Sequence, residues 1–177
     1  HGRNGRIRRH AKSFSRDYMH PSHETDSMII MGIKESLSRL AQESGENFID
    51  FANRIEKSNY LFLHQILLDV LMEHATSYAS WSCQYLLKSI LHFQVGDLGS
   101  ATLFSRKLIG AIFPYLKIDE RTRLEEAILS YYPSWEQSSK GLHRRGSDQF
   151  ELLWGIPDEL LTPEGRKRRS ELQRKFE

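Results

Sequence analysis

Tyr60-Leu61-Phe62-Leu63-His64-Gln65-Ile66-Leu67-Leu68-Asp69-Val70-Leu71-Met72 and, shortly after it, Tyr78-Ala79-Ser80-Trp81-Ser82-Cys83-Gln84-Tyr85-Leu86-Leu87-Lys88-Ser89-Ile90-Leu91-His92-Phe93-Gln94-Val95 decide the fold. Both read as helices, over 60–75 and 78–95, that are apolar around much of their circumference. Helices of that kind lie in the middle of a bundle, so Val70 and Ile90 are expected out of water. Residues 22–113 around them contain no proline. An interior proline costs a helix about 3 kcal/mol, so its long absence permits continuous helices.

Working outward, amphipathic stripes replace the all-round apolar pattern. A first helix follows Asp26 as cap, with Ile30, Ile33, Leu37, Leu40 and Ala41 on one face and Gly45 as a left-handed stop. A second, 46–57, carries Phe48, Ile49, Ala52 and Ile55 at helical spacing. A fifth, 98–116, has Gly96 as the preceding stop and Asp97 as cap. Its inner face is Ala101, Phe104, Leu108, Ala111, Ile112, Tyr115 and Leu116, and Pro114 should kink or end it. Asp119 caps a sixth, 120–132, with Leu124, Ala127, Ile128 and Tyr131 inward and Pro133 closing it.

The fold class is therefore all-α. Short links near 57–59, 75–77, 95–98 and 116–119 predict antiparallel helix pairs, stacked as a short α-solenoid or an irregular helical bundle. A pair spacing of roughly 35–40 residues falls in the range of HEAT-like repeats, although no repeat is visible residue by residue. The organisation reads as a basic, largely irregular N-terminal arm over 1–25 and a core of about six helices over 26–132. Residues 133–177 form a polar loop and short helices, ending in a basic helix that Thr162-Pro163-Glu164 starts well.

The 177 residues suffice for a core, since a chain of this length buries roughly 70% of its unfolded surface. The formal net charge of +2 is unevenly spread. Residues 1–16 hold six bases and no acid, residues 164–177 six bases against three acids, and the remainder 13 bases against 20 acids. Basic ends can hold phosphates, which makes Arg3, Arg6, Arg8, Arg9, Arg166, Lys167, Arg168 and Arg169 candidate nucleic-acid or anion contacts. No apolar run approaches the ~20 residues of a membrane helix, so no membrane partner is expected. The single cysteine, Cys83, rules out an internal disulfide and points to a reducing compartment. A start at His1 without an apolar leader suggests a piece of a longer or processed chain.

Chemical motifs are sparse. Phosphate-cradling glycine loops, H-E-x-x-H and G-x-S-x-G are all absent. His20 and His23 lie close in sequence, and Asp69 and Glu73 share one helix face beside His74, but no second ligand pair completes either set. Cys83 and His92, nine residues apart, fall on opposite sides of one helix, so Cys83 reads as a small buried hydrophobe. No catalytic, cofactor-binding or metal-ligating residue is assigned, and no cofactor is expected. In the run Tyr131-Tyr132-Pro133-Ser134-Trp135, Tyr132 and Trp135 are candidate partner contacts, set against a role in plugging a helix end.

Phe150-Glu151-Leu152-Leu153, Ile156-Pro157, Leu160-Leu161 and Glu171-Leu172-Gln173-Arg174-Lys175-Phe176 resemble the helical region that follows the ATPase module of large bacterial STAND-type NTPases, many of them antiphage defence proteins. The resemblance implies a cytoplasmic protein whose nucleotide site lies on another part of the chain and whose helical repeats bind a trigger or neighbouring subunits. It carries over no functional residue. The sequence thus predicts a non-catalytic helical interaction or scaffold domain, with protein binding or self-association. A nucleic-acid-binding helical module working through its basic termini is the first alternative, and a small metal-dependent enzyme near His20, His23, Asp69 and Glu73 is the second.

Overall fold

The computed structural model describes residues 24–133, 136 and 142–176. Every element among them is helical: eight α-helices joined by short 3-10 turns, with no strand. The chain divides into two compact units at His74/Ala75, where the sequence reading drew one core over 26–132. The arm read over 1–25 lies outside the described residues except for its last two positions, which already belong to the first helix.

In the first unit α1 spans Glu24–Glu43, α2 Gly45–Glu56 and α3 Leu61–Glu73, each packing on the other two. Helix α3 buries Ile66, Leu67, Leu68, Val70 and Leu71, as its pattern requires. Against it α1 sets Ile30, Leu37 and Ala41, and α2 sets Phe48, Ala52 and Ile55. Two expectations need correction. Gly45 begins α2 instead of ending α1, and Ser44 alone separates them. Ile33 is exposed together with Met28, Ile29 and Met31, because residues 28–33 of α1 are apolar around the helix and only one stripe of it meets the core.

The second unit opens with α4, Ala75–Lys88, irregular at Tyr78. The helix expected to run to residue 95 stops here. Ser89 turns extended and its hydroxyl accepts the Leu91 N–H at 3.3 Å, starting a separate 3-10 turn over Ile90–Gln94. His92 thereby folds back to stack on Tyr85, ring centroids 4.0 Å apart, while Ile90 is left 52% exposed instead of buried. Asp97 caps a turn, accepting from the Gly99 and Ser100 N–H groups at 2.7 and 2.9 Å. Helix α5 then covers only Leu103–Ile112, and Pro114 lies in a 3-10 turn at Phe113–Tyr115 that leaves Tyr115 exposed where an inward position was expected. Helix α6 is Ile118–Leu129, so Asp119 sits inside it; Lys117 is the cap residue. Helices α7, Ser147–Trp154, and α8, Pro163–Phe176, complete the unit, with a 3-10 turn at Asp158–Leu160 between them. Helix α7 packs on α5, α6 and α8.

Each of α5 to α8 begins at a glutamate. Glu151 of α7 accepts hydrogen bonds from the Ser100 and Thr102 hydroxyls just before α5, the latter at 2.9 Å. Glu120 accepts the Lys117 N–H at 3.1 Å at the start of α6. Glu136, fully buried, accepts from the Gly146 and Asp148 N–H groups at 2.6 and 3.2 Å ahead of α7, where Gly146 takes φ = 89°, a left-handed conformation that favours glycine. Glu125, 2% exposed, accepts the Thr162 N–H and hydroxyl at the start of α8. The first N–H groups of a helix lack internal partners and carry partial positive charge, so a carboxylate there meets both needs. At α5 the Phe104 and Ser105 N–H groups are taken by the Val95 carbonyl, and Glu151 acts through the hydroxyls. The polar loop read after residue 133 thus contains a buried anchor at Glu136. Close approach also matters: a Cβ on Gly110 of α5 would lie 2.8 Å from the Gly155 carbonyl oxygen, and one on Gly155 would lie 2.6 Å from that of Arg106.

Glu125→Ala removes the acceptor of the part-buried Thr162 N–H and hydroxyl and should lower the unfolding free energy by about 1–3 kcal/mol in urea titrations. Glu126→Ala, the exposed neighbour on the same helix, should change it by no more than about 0.5 kcal/mol.

Candidate interaction surface

Phe150 and Trp154 are four residues apart on α7 and share its outer face, because Leu152 and Leu153 take the inward side. Their ring centroids are 5.5 Å apart, and Phe176 at the end of α8 lies 6.0 Å from Phe150. Trp154 is 51% exposed. Cations bracket these rings. The Arg169 guanidinium lies 5.6 Å from the Trp154 centroid, held by the Ile156 carbonyl at 3.0 Å and by Asp158. Lys175 Nζ sits 5.1 Å from the Phe176 centroid and donates to the Arg145 carbonyl at 2.7 Å. The Arg145 guanidinium in turn covers the Tyr132 ring at 4.7 Å. Arg169, Trp154, Phe150, Phe176, Lys175, Arg145 and Tyr132 therefore form one continuous strip in which rings and cations touch in sequence.

Several residues singled out in the sequence fall on or beside this strip. Tyr132 is half-buried and belongs to it, whereas Tyr131 is buried and packs edge-on against Phe93 at 5.4 Å. Of the four candidate bases at 166–169 on α8, three are engaged by the fold itself. Arg166 donates to the Leu161 carbonyl at 2.7 Å, Arg168 to Gln149 Oε1 at 2.7 Å, and Arg169 as described. Lys167 is exposed. Arg3, Arg6, Arg8, Arg9, His20, His23 and Trp135 lie outside the described residues. Phe150, Trp154 and Phe176 were not read as a surface; the available signal was the four-residue spacing of Phe150 and Trp154 opposite a Leu-Leu pair.

Asp69 and Glu73, which share one face of α3, are both engaged by α1. Lys34 of α1 meets both, at 3.5 and 2.9 Å, and Ser38, one turn on, donates to Glu73 at 3.0 Å with its oxygen 2.8 Å from His74 Nε2. Two pairs spaced i, i+4 thus interlock across α1 and α3. Burial works against charge on Lys34, but its hydrogen bonds and ion pairs with Glu73 and Asp69 outweigh this and hold its pKa above 10.5. Burial likewise opposes ionisation of Glu73, yet Lys34, Ser38 and His74 together hold its carboxyl below 4.5. Although Ser38 and His74 are within reach as nucleophile and base, the carboxylate takes the serine proton instead of orienting the imidazole, the reverse of what nucleophilic activation needs. The set works as a latch between α1 and α3.

Burial, aided by Glu120 and Asp119 against Arg123, pushes the Cys83 thiol up to about 11. His64 is also buried, which lowers its pKa, with its Nε2 3.0 Å from the Ser58 carbonyl. An acidic cleft of about 310 Å³, lined by Thr122, Glu125, Glu126, Leu129, Thr162, Pro163 and Glu164, flanks the start of α8. Its buried member, Glu125, is already engaged by Thr162. Among the described residues no group of three or more His, Cys, Asp or Glu side chains is arranged to hold a metal ion, and no helix is long and apolar enough to cross a membrane. No family model, curated protein or solved structure matches the chain.

The latch gives a signed pH dependence. The depressed Glu73 contributes stability present above about pH 4.5 and lost as pH falls through its folded pKa, while the raised Lys34 contributes stability lost as pH climbs above 10.5. Lys34→Met should therefore be less stable than wild type near neutrality, and the two should converge at both extremes in urea titrations across pH. The Cys83 thiol should react with a disulfide reagent at about pH 8 at least ~100-fold more slowly in the native chain than in urea, because so little of it is thiolate.

Proposed function

We propose that this chain is a non-catalytic helical interaction module that engages another protein through the strip on α7 and α8. The observation that carries this reading is Trp154, half in water on a helix whose start is fixed by Glu136, framed by Phe150 and by an Arg169 that is itself tied down. Half-exposed tryptophan and arginine held in place are the residues that dominate binding energy at protein interfaces, and little conformational freedom remains for a partner to remove.

Nucleic-acid binding through the basic termini is the second reading, favoured by the same alternation of rings and cations. Against it, Arg166, Arg168 and Arg169 already donate to carbonyl, amide and carboxylate oxygens of the fold. The same proposal places the module in a bacterial, cytoplasmic STAND-type NTPase with a role in antiphage defence, a placement motivated by the C-terminal resemblance alone. An ATPase module in the parent sequence would support it.

A photo-crosslinking residue at position 154 should yield discrete protein adducts that disappear with Arg169→Glu, while the same residue at position 88 should not. Adducts only with nucleic acid, weakening steeply with salt, would favour the second reading. No adduct at either position would refute both.

A further inference from the structure

Resting on the reading of this strip as a docking surface, we propose that its occupant is an acidic peptide segment carrying large apolar anchors. Charge supplies the first argument. Residues 142–176 hold eight arginines and lysines against six acids, of which Asp158 pairs with Arg169, Glu171 with Arg168 and Glu151 with Arg106, and Lys175 ties the basic runs at 144–145 and 166–175 together. Arg144, Arg145, Lys167, Arg174 and Lys175 among them are exposed. A partner of opposite sign is attracted and aligned by such a field, and like-charged partners are rejected.

The arrangement of the rings supplies the second. Arg145 covers a face of Tyr132, Lys175 lies against Phe176, and Arg169 covers Trp154. Stacked bases need open ring faces, and here each of those rings already carries a cation. Arg169 already spends its N–H groups on Ile156 and Asp158, so the carboxylates of a partner meet the exposed Arg145 and Lys175 at the other end of the strip. The exposed part of Trp154, backed by Phe150, then accepts an apolar side chain beside the acidic contacts. The alternation of cation and ring along the strip matches an alternation of acid and apolar anchor along an extended or helical segment.

The test uses the full chain and labelled peptides about 12 residues long, in which glutamates flank two leucines. Comparison peptides replace the glutamates with lysine or the leucines with serine, and a single-stranded oligonucleotide of similar length completes the set. The acidic leucine peptide should bind at least ~10-fold more tightly than any of the three, and should weaken ~10-fold or more as salt rises from about 50 to about 500 mM. Trp154→Ser and Lys175→Glu should each weaken it ~10-fold, and Lys88→Glu should leave it unchanged; unaltered urea midpoints would show the variants folded. A tighter oligonucleotide, no preference for the acidic leucine peptide, or indifference to both strip variants overturns the proposal. If crosslinking at position 154 to protein persists in that case, the docking reading stands and only the acidic partner falls; if crosslinking fails as well, both fall.

Discussion

The second unit depends on one recurring interaction: a glutamate carboxylate placed against the start of a helix. An isolated short helix is marginal in water, and α5, α7 and the 3-10 turns of this unit are all short. What lets them form is that backbone donors at the starts of α6, α7 and α8 meet a fixed charge, from Glu120, Glu136 and Glu125 in turn. The first N–H groups of α5 donate to the Val95 carbonyl, and Glu151 holds the Ser100 and Thr102 hydroxyls ahead of it. Because Glu125 and Glu151 lie on helices of their own, each such contact also fixes one helix relative to another. Glu125 sits 37 residues before its Thr162 partner, and Glu151 lies 49 residues after Thr102. Glu125 and Glu151 therefore act as tertiary links as much as local caps, and the burial of Glu125 and Glu136 makes their geometry exacting, since a buried charge tolerates no lost partner.

This explains which parts of the architecture were legible in the sequence. Helix α3 was, because five consecutive-turn apolar residues from Ile66 to Leu71 leave no other arrangement. The start of α8 was, because Thr162-Pro163-Glu164 is a local signal, and the structure keeps Thr162 there with its hydroxyl accepting the Gly165 N–H at 3.1 Å. The break at Ser89 was not, since the apolar period runs on through Ile90 and Phe93 and only the side-chain competition of Ser89 for Leu91 ends the helix. Boundaries set by other side chains, distant for Glu151 and local for Glu120, were equally hidden. Asp97 and Asp119 have the right chemistry for caps, but the helices they should begin are started instead at Thr102 and Lys117, under Glu151 and Glu120.

The candidate surface was legible only in fragments. Arg169, Lys175 and Tyr132 could each be marked from charge or composition. That they alternate with Phe150, Trp154 and Phe176 follows from α7 and α8 packing together, and from Lys175 reaching the Arg145 carbonyl, 30 residues earlier. The acids Asp69 and Glu73 illustrate the opposite case: a suggestive chemical pair whose true partners, Lys34 and Ser38, carry the same four-residue spacing on another helix.

The contact between Gly110 and Gly155 bears on how kinship to this fold could be recognised. With no Cβ at either position, α5 and the end of α7 approach closely enough that a side chain would strike main-chain carbonyls. In any descendant that keeps this packing the two sites must stay glycine or change together with a shift of both helices, whereas Trp154, immediately beside Gly155 and half exposed, is under no such packing constraint. A matched pair of invariant glycines flanking a drifting aromatic would be a signature of common ancestry that helical periodicity alone cannot supply.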